Sequence, residues 1–321
     1  MRWKNVIIPP EKELEAFALL DSISYSSLIK GYRDTPLVNN QGKFIEPISL
    51  DTLFELYLVD SDFSSLIFKN ILHIEKILKT KIANNIAFHF GVNTSEDLYG
   101  LTNPQDYLCT NNYSKTQRTT ATLKALKSCI KHPWDDSTLS YYKEKKGKFP
   151  PWILADNIYF SYAFRWFKIL KPTLKNNIVQ SFLGNDTAEL EEKKELFHNA
   201  VNCLVHYRNK IAHRHMVFKI NNRNKLTENI LIKYTGEKLT NKPLLKKYSS
   251  RAFYLLILSI AILLNDITLY KEFMINLHGL LEKHKGISAC GINIYELLGI
   301  PEEIVLHLLD YFEFLFENSL N

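Results

Sequence analysis

Residues 208–215 read RNKIAHRH, and they hold the one grouping of Arg, Asn and His in this chain whose spacing could support catalysis. A neutral imidazole can take the proton of a ribose 2′-OH, and a guanidinium can stabilise the charge that builds on a phosphorane. The 2′-oxygen is then the nucleophile, so Arg208 and His213 would cleave RNA with no Ser, Cys or metal. Asn209 stands four residues before His213, the spacing that lets an amide orient an imidazole on a helix. The competing reading is plainer: a helix end decorated with cations close to its negative dipole terminus. Short Arg/His patterns often arise that way.

Those residues need a helix to place them. Leu196, Ala200, Val201, Leu204, Val205 and Ile211 recur at i, i+3, i+4 spacing, which predicts a helix over 187–213 with one buried face. Arg208 turns toward that face, where an unpaired charge is too costly to keep. His213 lies about 140° from Arg208 around an ideal helix. The two side chains meet only if the helix ends near His213 or if two copies of the chain meet.

The remaining sequence also reads as helix. The chain has 321 residues, 11 Gly and 11 Pro, so long uninterrupted helices are allowed. Apolar periodicity predicts helices over 11–30, 49–91 (Ser49 the N-cap, Gly91 the stop, a bend near Asp60–Asp62), 114–131, 136–146, 152–170, 173–183, 247–266, 268–285 and 302–318. Only NILIKYTGEKLT (229–240) has β character, and its Thr-Gly suggests a hairpin. The fold class is therefore all-α, a helical bundle. An N-terminal helical segment (1–48) precedes a body (49–321) that carries a basic insertion at about 219–247.

Composition bounds the function. The longest apolar run, AFYLLILSIAILL (252–264), is too short to span a bilayer and predicts a buried core helix; no signal-peptide core precedes it. Cys109, Cys129, Cys203 and Cys290 show no paired spacing, as for reduced thiols in a cytoplasmic protein with no membrane association. Net charge is +6, unevenly placed. Between Lys219 and Arg251 nine Lys/Arg face two acids, Glu228 and Glu237, and residues 111–131 carry five Lys/Arg and no acid. Local charge of this kind suits a face that holds a polyanion. Lys210, Arg214, His215, Lys242, Lys246, Lys247 and Arg251 are the candidate RNA contacts.

Other constellations are weaker. Cys203-x2-His206 with His213-x-His215 invites a zinc reading, but no further ligand pair stands at metal spacing, so no metal and no cofactor is expected. No phosphate-binding Gly loop or Gly-x-Ser-x-Gly elbow occurs. Glu75 reads as half of an internal ion pair. Trp152, Asp156 and Phe160 read as one stripe of a packed helix, with Asp156 expecting a cation opposite.

Five stretches carry a resemblance: AFALLDSISYSSLIKGYRD, FELYLVDSDFSSLIFKNILHIEKILKTKIANNIA, PPWILADNIYFSYAFRWFKILK, LFHNAVNCLVHYRNKIAHRHMVF and INIYELLGIPEEI. Together they resemble the Abi family of bacterial abortive-infection (phage-resistance) proteins, of the AbiD/AbiF type, within the HEPN superfamily. That superfamily's Arg, polar residue and His correspond to Arg208, Asn209 and His213. The chain departs from the family at Asp156, where Glu is usual, and at Phe160-Ser161, where Phe-Gly is usual. His215 stands where members controlled by a nucleotidyltransferase partner carry Tyr. The resemblance implies a metal-independent endoribonuclease acting as a toxin of a phage-defence system. It also implies a composite site from two motifs, hence a homodimer, and a small structured non-coding RNA as antitoxin partner. The alternative is an Abi protein that holds such an RNA without cutting it.

Overall fold

The computed structural model describes residues 4–32, 35–184, 187–220 and 226–319. Its α-helices are α1 (Glu13–Ser22), α2 (Tyr25–Leu28), α3 (Leu50–Phe90), α4 (Thr119–Lys131), α5 (Thr138–Lys145), α6 (Pro151–Asp156), α7 (Phe160–Ile169) and α8 (Pro172–Phe182). They continue with α9 (Leu190–Ala212), α10 (Glu228–Tyr234), α11 (Lys242–Tyr248), α12 (Ala252–Leu263), α13 (Ile267–His284), α14 (Ile294–Leu298) and α15 (Ile304–Ser319). The only sheets among the described residues are two pairs of two-residue strands, so the fold is all-α. The chain forms two compact units, residues 1–70 with 206–321, and residues 71–205.

In the first unit, β1 (Val6–Ile7) pairs in parallel with β2 (Ile48–Ser49), which ties the early chain to the start of α3. Ser49 Oγ accepts the Thr52 N–H at 3.0 Å, the expected N-cap, and Gly91 takes φ 79° where α3 stops. α3 is unbroken for 41 residues. α12 is the apolar run, and every residue from Phe253 to Leu263 is buried. Its two polar side chains are satisfied inside: Ser259 Oγ donates to Leu255 O (2.7 Å), and Tyr254 OH shares a hydrogen bond with Thr240 Oγ1 (2.8 Å). Asp266 caps α13 through the Leu269 N–H, and Tyr270 OH reaches Leu308 O of α15 at 2.9 Å. No helix among the described residues is long and apolar enough to cross a membrane.

The expected hairpin at 229–240 does not form. Leu231 and Tyr234 are buried three residues apart, which is helical spacing, and α10 covers them. Gly236 (φ 57°) then stops that helix, with its N–H on Lys233 O and the Glu237 N–H on Ile232 O. This is a Schellman stop, so Thr235-Gly236 ends a helix and turns no strands.

The second unit has its own core. Trp166 is fully buried and donates Nε1–H to Tyr113 OH (3.0 Å), while Tyr107 OH donates to Phe149 O (2.8 Å). Glu75 pairs with Lys79 at 2.7 Å, the internal ion pair expected of it. The predicted helix 152–170 is broken between Asp156 and Phe160, so the proposed stripe does not exist. Phe160 is buried, but Trp152 and Asp156 are exposed and Asp156 needs no cation opposite. One member of the basic 111–131 stretch is also unavailable to a ligand. Lys127 is fully buried on α4, with its ammonium 2.6 Å from Asp106 Oδ2 and 3.3 Å from Ser95 O.

Asp106 is in turn held by the Leu108 N–H at 2.7 Å. Removing its charge strands a buried ammonium, which costs about 3–5 kcal/mol in such pairs. Asp106→Asn should therefore lower the unfolding free energy in urea by that order, and adding Lys127→Met should recover most of it. A loss below about 1 kcal/mol for the single variant would contradict this reading.

Candidate functional site

α9 ends at Ala212, where the chemistry of the octapeptide needs it to end. The His215 N–H reaches back to Lys210 O (3.0 Å) and the Arg214 N–H to Ile211 O (2.8 Å). That is a second Schellman stop, with Arg214 at φ 59° in the place usually given to Gly. An arginine there costs about 1 kcal/mol, and such strain persists only where the surroundings hold the chain firmly.

The surroundings do so. The Val217 N–H donates to Asp60 Oδ1 at 2.7 Å, and Lys219 Nζ donates to Gly31 O at 3.1 Å. Met216 packs so tightly over Gly31 that a Cβ there would sit 2.6 Å from its methyl carbon. Residues 214–219 are thereby fixed against α3 and the turn after α2.

These elements enclose an open cavity of about 930 Å³ in the first unit. One wall is basic, with Lys210, Arg214 and Lys219 beside the imidazoles of His206 and His215. The other is a stripe of α3, with Tyr57 and Phe68 at its ends and Asp60, Ser61, Ser64 and Ser65 between them. Burial first, and then Lys210, His213, Lys219 and His206, hold the His215 imidazole below the ordinary histidine range. It is therefore neutral at pH 7 and able to accept a proton. Burial pushes the Asp60 carboxyl up to about 7, against the pull of the Val217 N–H. A carboxyl that exchanges its proton near neutrality and a neutral imidazole, facing Lys210, Arg214 and Lys219, are groups that general acid–base work on an anion can use.

Of the residues singled out from sequence, Lys210, Arg214 and His215 line this cavity. Arg208, Asn209 and His213 are not among its lining residues: Arg208 is half-buried with its Nε enclosed, while Asn209 and His213 are exposed. His213 is the first residue beyond α9, and its N–H still bonds Asn209 O at 3.2 Å, so it keeps its place on the last turn. Asp60, His206, Lys219 and the serine stripe had not been picked out as site residues. Their signal was the polar DSDFSS (60–65) set inside a long apolar helix.

The basic insertion is helical, and Arg223 and Lys225 lie outside the described residues. Lys242, Lys246, Lys247 and Arg251 are all exposed. Lys247 and Arg251 line a separate cavity of about 520 Å³ that also holds Glu296, Glu302 and Glu303. A hydrogen bond to Tyr248 and then Glu303 and Glu302 raise the Lys247 ammonium, and the Arg251 methylenes lie over Gly299. Acids distant in sequence thus partly balance this end of the insertion. No group of three or more His, Cys, Asp or Glu able to hold a metal occurs among the described residues.

A family model described as Abi-like protein matches residues 18–219, which include α9, its exit and the serine stripe of α3. No curated protein and no solved structure matches the chain.

The buried Asp60 gives a pH signature. Its folded value lies above that of an unfolded aspartate, so its stabilising share is complete below about pH 4 and is lost as pH rises toward 7. Asp60→Asn keeps an acceptor for the Val217 N–H and removes the titration. The variant should match the parent near pH 4 and exceed it by up to a few kcal/mol at pH 8, as read by urea unfolding at both pH values. A variant less stable at pH 8 would mean that the carboxylate is ionised and paired.

Proposed function

The chain belongs to the Abi-like protein family, and from that premise we propose that it is a phage-defence effector of the HEPN type, a metal-independent endoribonuclease. The observation that carries the reading is the strained, pinned exit of α9. It ends the helix at the motif and gathers Lys210, Arg214 and His215 on a cavity of about 930 Å³.

The chemistry follows from the residue types. A neutral imidazole takes the 2′-OH proton, the 2′-oxygen attacks the adjacent phosphorus, and the 5′-oxygen leaves with a proton from a second acid. The products are a 2′,3′-cyclic phosphate and a 5′-OH. In the motif's terms His213 is the base, Asn209 orients it, and Arg208 stabilises the equatorial charge. His215 is a second imidazole, held neutral at pH 7, and Lys210 and Arg214 hold the flanking phosphates. His213 stands exposed, as it would for a site completed by the motif of a second protomer, so the active form is a homodimer. A small structured RNA would bind and restrain the toxin, with the exposed Lys242 and Lys246 among its contacts.

The exposed His213 outside the cavity also fits a second reading, in which the protein binds RNA and does not cut it. His213→Ala separates the two. The enzyme reading predicts that cleavage of labelled RNA in EDTA falls by about 10²–10⁴-fold while the gel shift remains. Arg208→Ala should fall similarly, and a melting curve must accompany it because Arg208 is half-buried. Equal cleavage by parent and His213→Ala would remove His213 from the mechanism. Intact RNA with a gel shift from both proteins would establish the binder.

A further inference from the structure

The second unit carries a concentration of positive charge that the α9 exit does not account for. Lys168 of α7 sits with Nζ 4.1 Å from the centre of the Phe164 ring, and His198 of α9 also packs on that ring, at 5.2 Å. Arg165 lies over Tyr162 at 5.4 Å. Arg118, at the start of α4, and Arg165 both act on Lys168; Lys168 and Lys175 of α8 act on His198; and Lys194 acts on Lys175. In each case burial comes first and like charge second, and all three groups are held below their ordinary ranges.

What is missing is an acid. Lys194 pairs with Glu191 at 2.6 Å, but none of Arg118, Arg165, Lys168, Lys175 and His198 makes an ion pair among the described residues. No carboxylate is among the charges acting on Lys168, Lys175 or His198. Lys168 and Lys175 are half-buried ammoniums, and the repulsion between them and the like charges beside them weakens the fold on its own. An anion that neutralises several of them at once offsets that repulsion.

We infer that this face of α7, α8 and α9, with Arg118, is a second binding surface, and that its ligand is the phosphodiester backbone of RNA. The cations come from the start of α4, from α7 and from α8, and a row of phosphates can meet all of them. Phe164 is buried beneath Lys168, and contacts made to phosphates alone carry no sequence information. The surface shares only its class of ligand with the cleavage reading, and it stands whether or not the chain cuts RNA.

The test uses the full chain carrying His213→Ala, so that any RNA present stays intact. Binding of a labelled, unstructured oligoribonucleotide is measured over a range of salt, with and without Arg165→Gln, Lys168→Gln and Lys175→Gln together. Each lost phosphate contact removes about 0.7 from the log–log salt slope for a single strand. The triple replacement should therefore flatten the slope by about two and weaken binding at least tenfold at low salt, for unrelated sequences alike. Without RNA, the triple variant should melt at the same temperature as its parent or higher at low salt, because repulsion is relieved. An unchanged slope overturns the proposal, as does a lower melting temperature. So does inorganic phosphate alone raising the melting temperature of the chain but not of the triple variant, since that would mark a small-anion site.

Discussion

The hydrogen bond from the Val217 N–H to Asp60 holds the chain where it leaves α9, and the candidate site depends on that hold. Without it, nothing in the local sequence would keep Arg214 in a left-handed conformation that arginine disfavours. The close passage of Met216 over Gly31 and the reach of Lys219 to Gly31 O fix the same segment from the other side. Ending at Ala212, α9 keeps His213 on its last turn and turns Arg214 and His215 onto the cavity. The anchor is itself a buried carboxyl whose proton affinity burial has raised, so the support of the site is also one of its titrating groups.

Electrostatics divides the positive charge of this protein into kinds that a charge count treats alike. Lys127 is internal, matched by Asp106, and serves folding. Lys247 and Arg251 are exposed but share their cavity with Glu296, Glu302 and Glu303. At the exit of α9, Lys210, Lys219 and two histidines, His213 and His206, lie close enough to depress His215. Like charges gathered closely raise the free energy of the unliganded protein, and such places invite an anion.

Much of the helical architecture was legible in the sequence because its signals are local. The Ser49 cap, the Gly91 stop, the apolar run of α12 and the periodicity of α9 each act within a few residues, and each appears where periodicity and capping put it. The failures are places where a distant partner decides. Thr235-Gly236 reads as a hairpin turn until the burial of Leu231 and Tyr234 selects a helix. Asp156 reads as internal until the break before Phe160 leaves it in water. In the site, Lys210, Arg214 and His215 were legible because they cluster in sequence. Asp60 was not, because its partner Val217 is 157 residues away and no local pattern joins them.

The central claim is that RNA is cut at the exit of α9 by attack of its own 2′-oxygen. The most direct test first maps a cleavage position on an RNA substrate in the presence of EDTA. The same RNA is then made with a single 2′-deoxyribose on the 5′ side of that bond. The account predicts that cleavage at this bond disappears, that other positions are cut as before, and that every product ends in a 2′,3′-cyclic phosphate. Continued cutting at the deoxy position, or a 3′-OH end there, would contradict it, because water or a metal-bound hydroxide would then be the nucleophile.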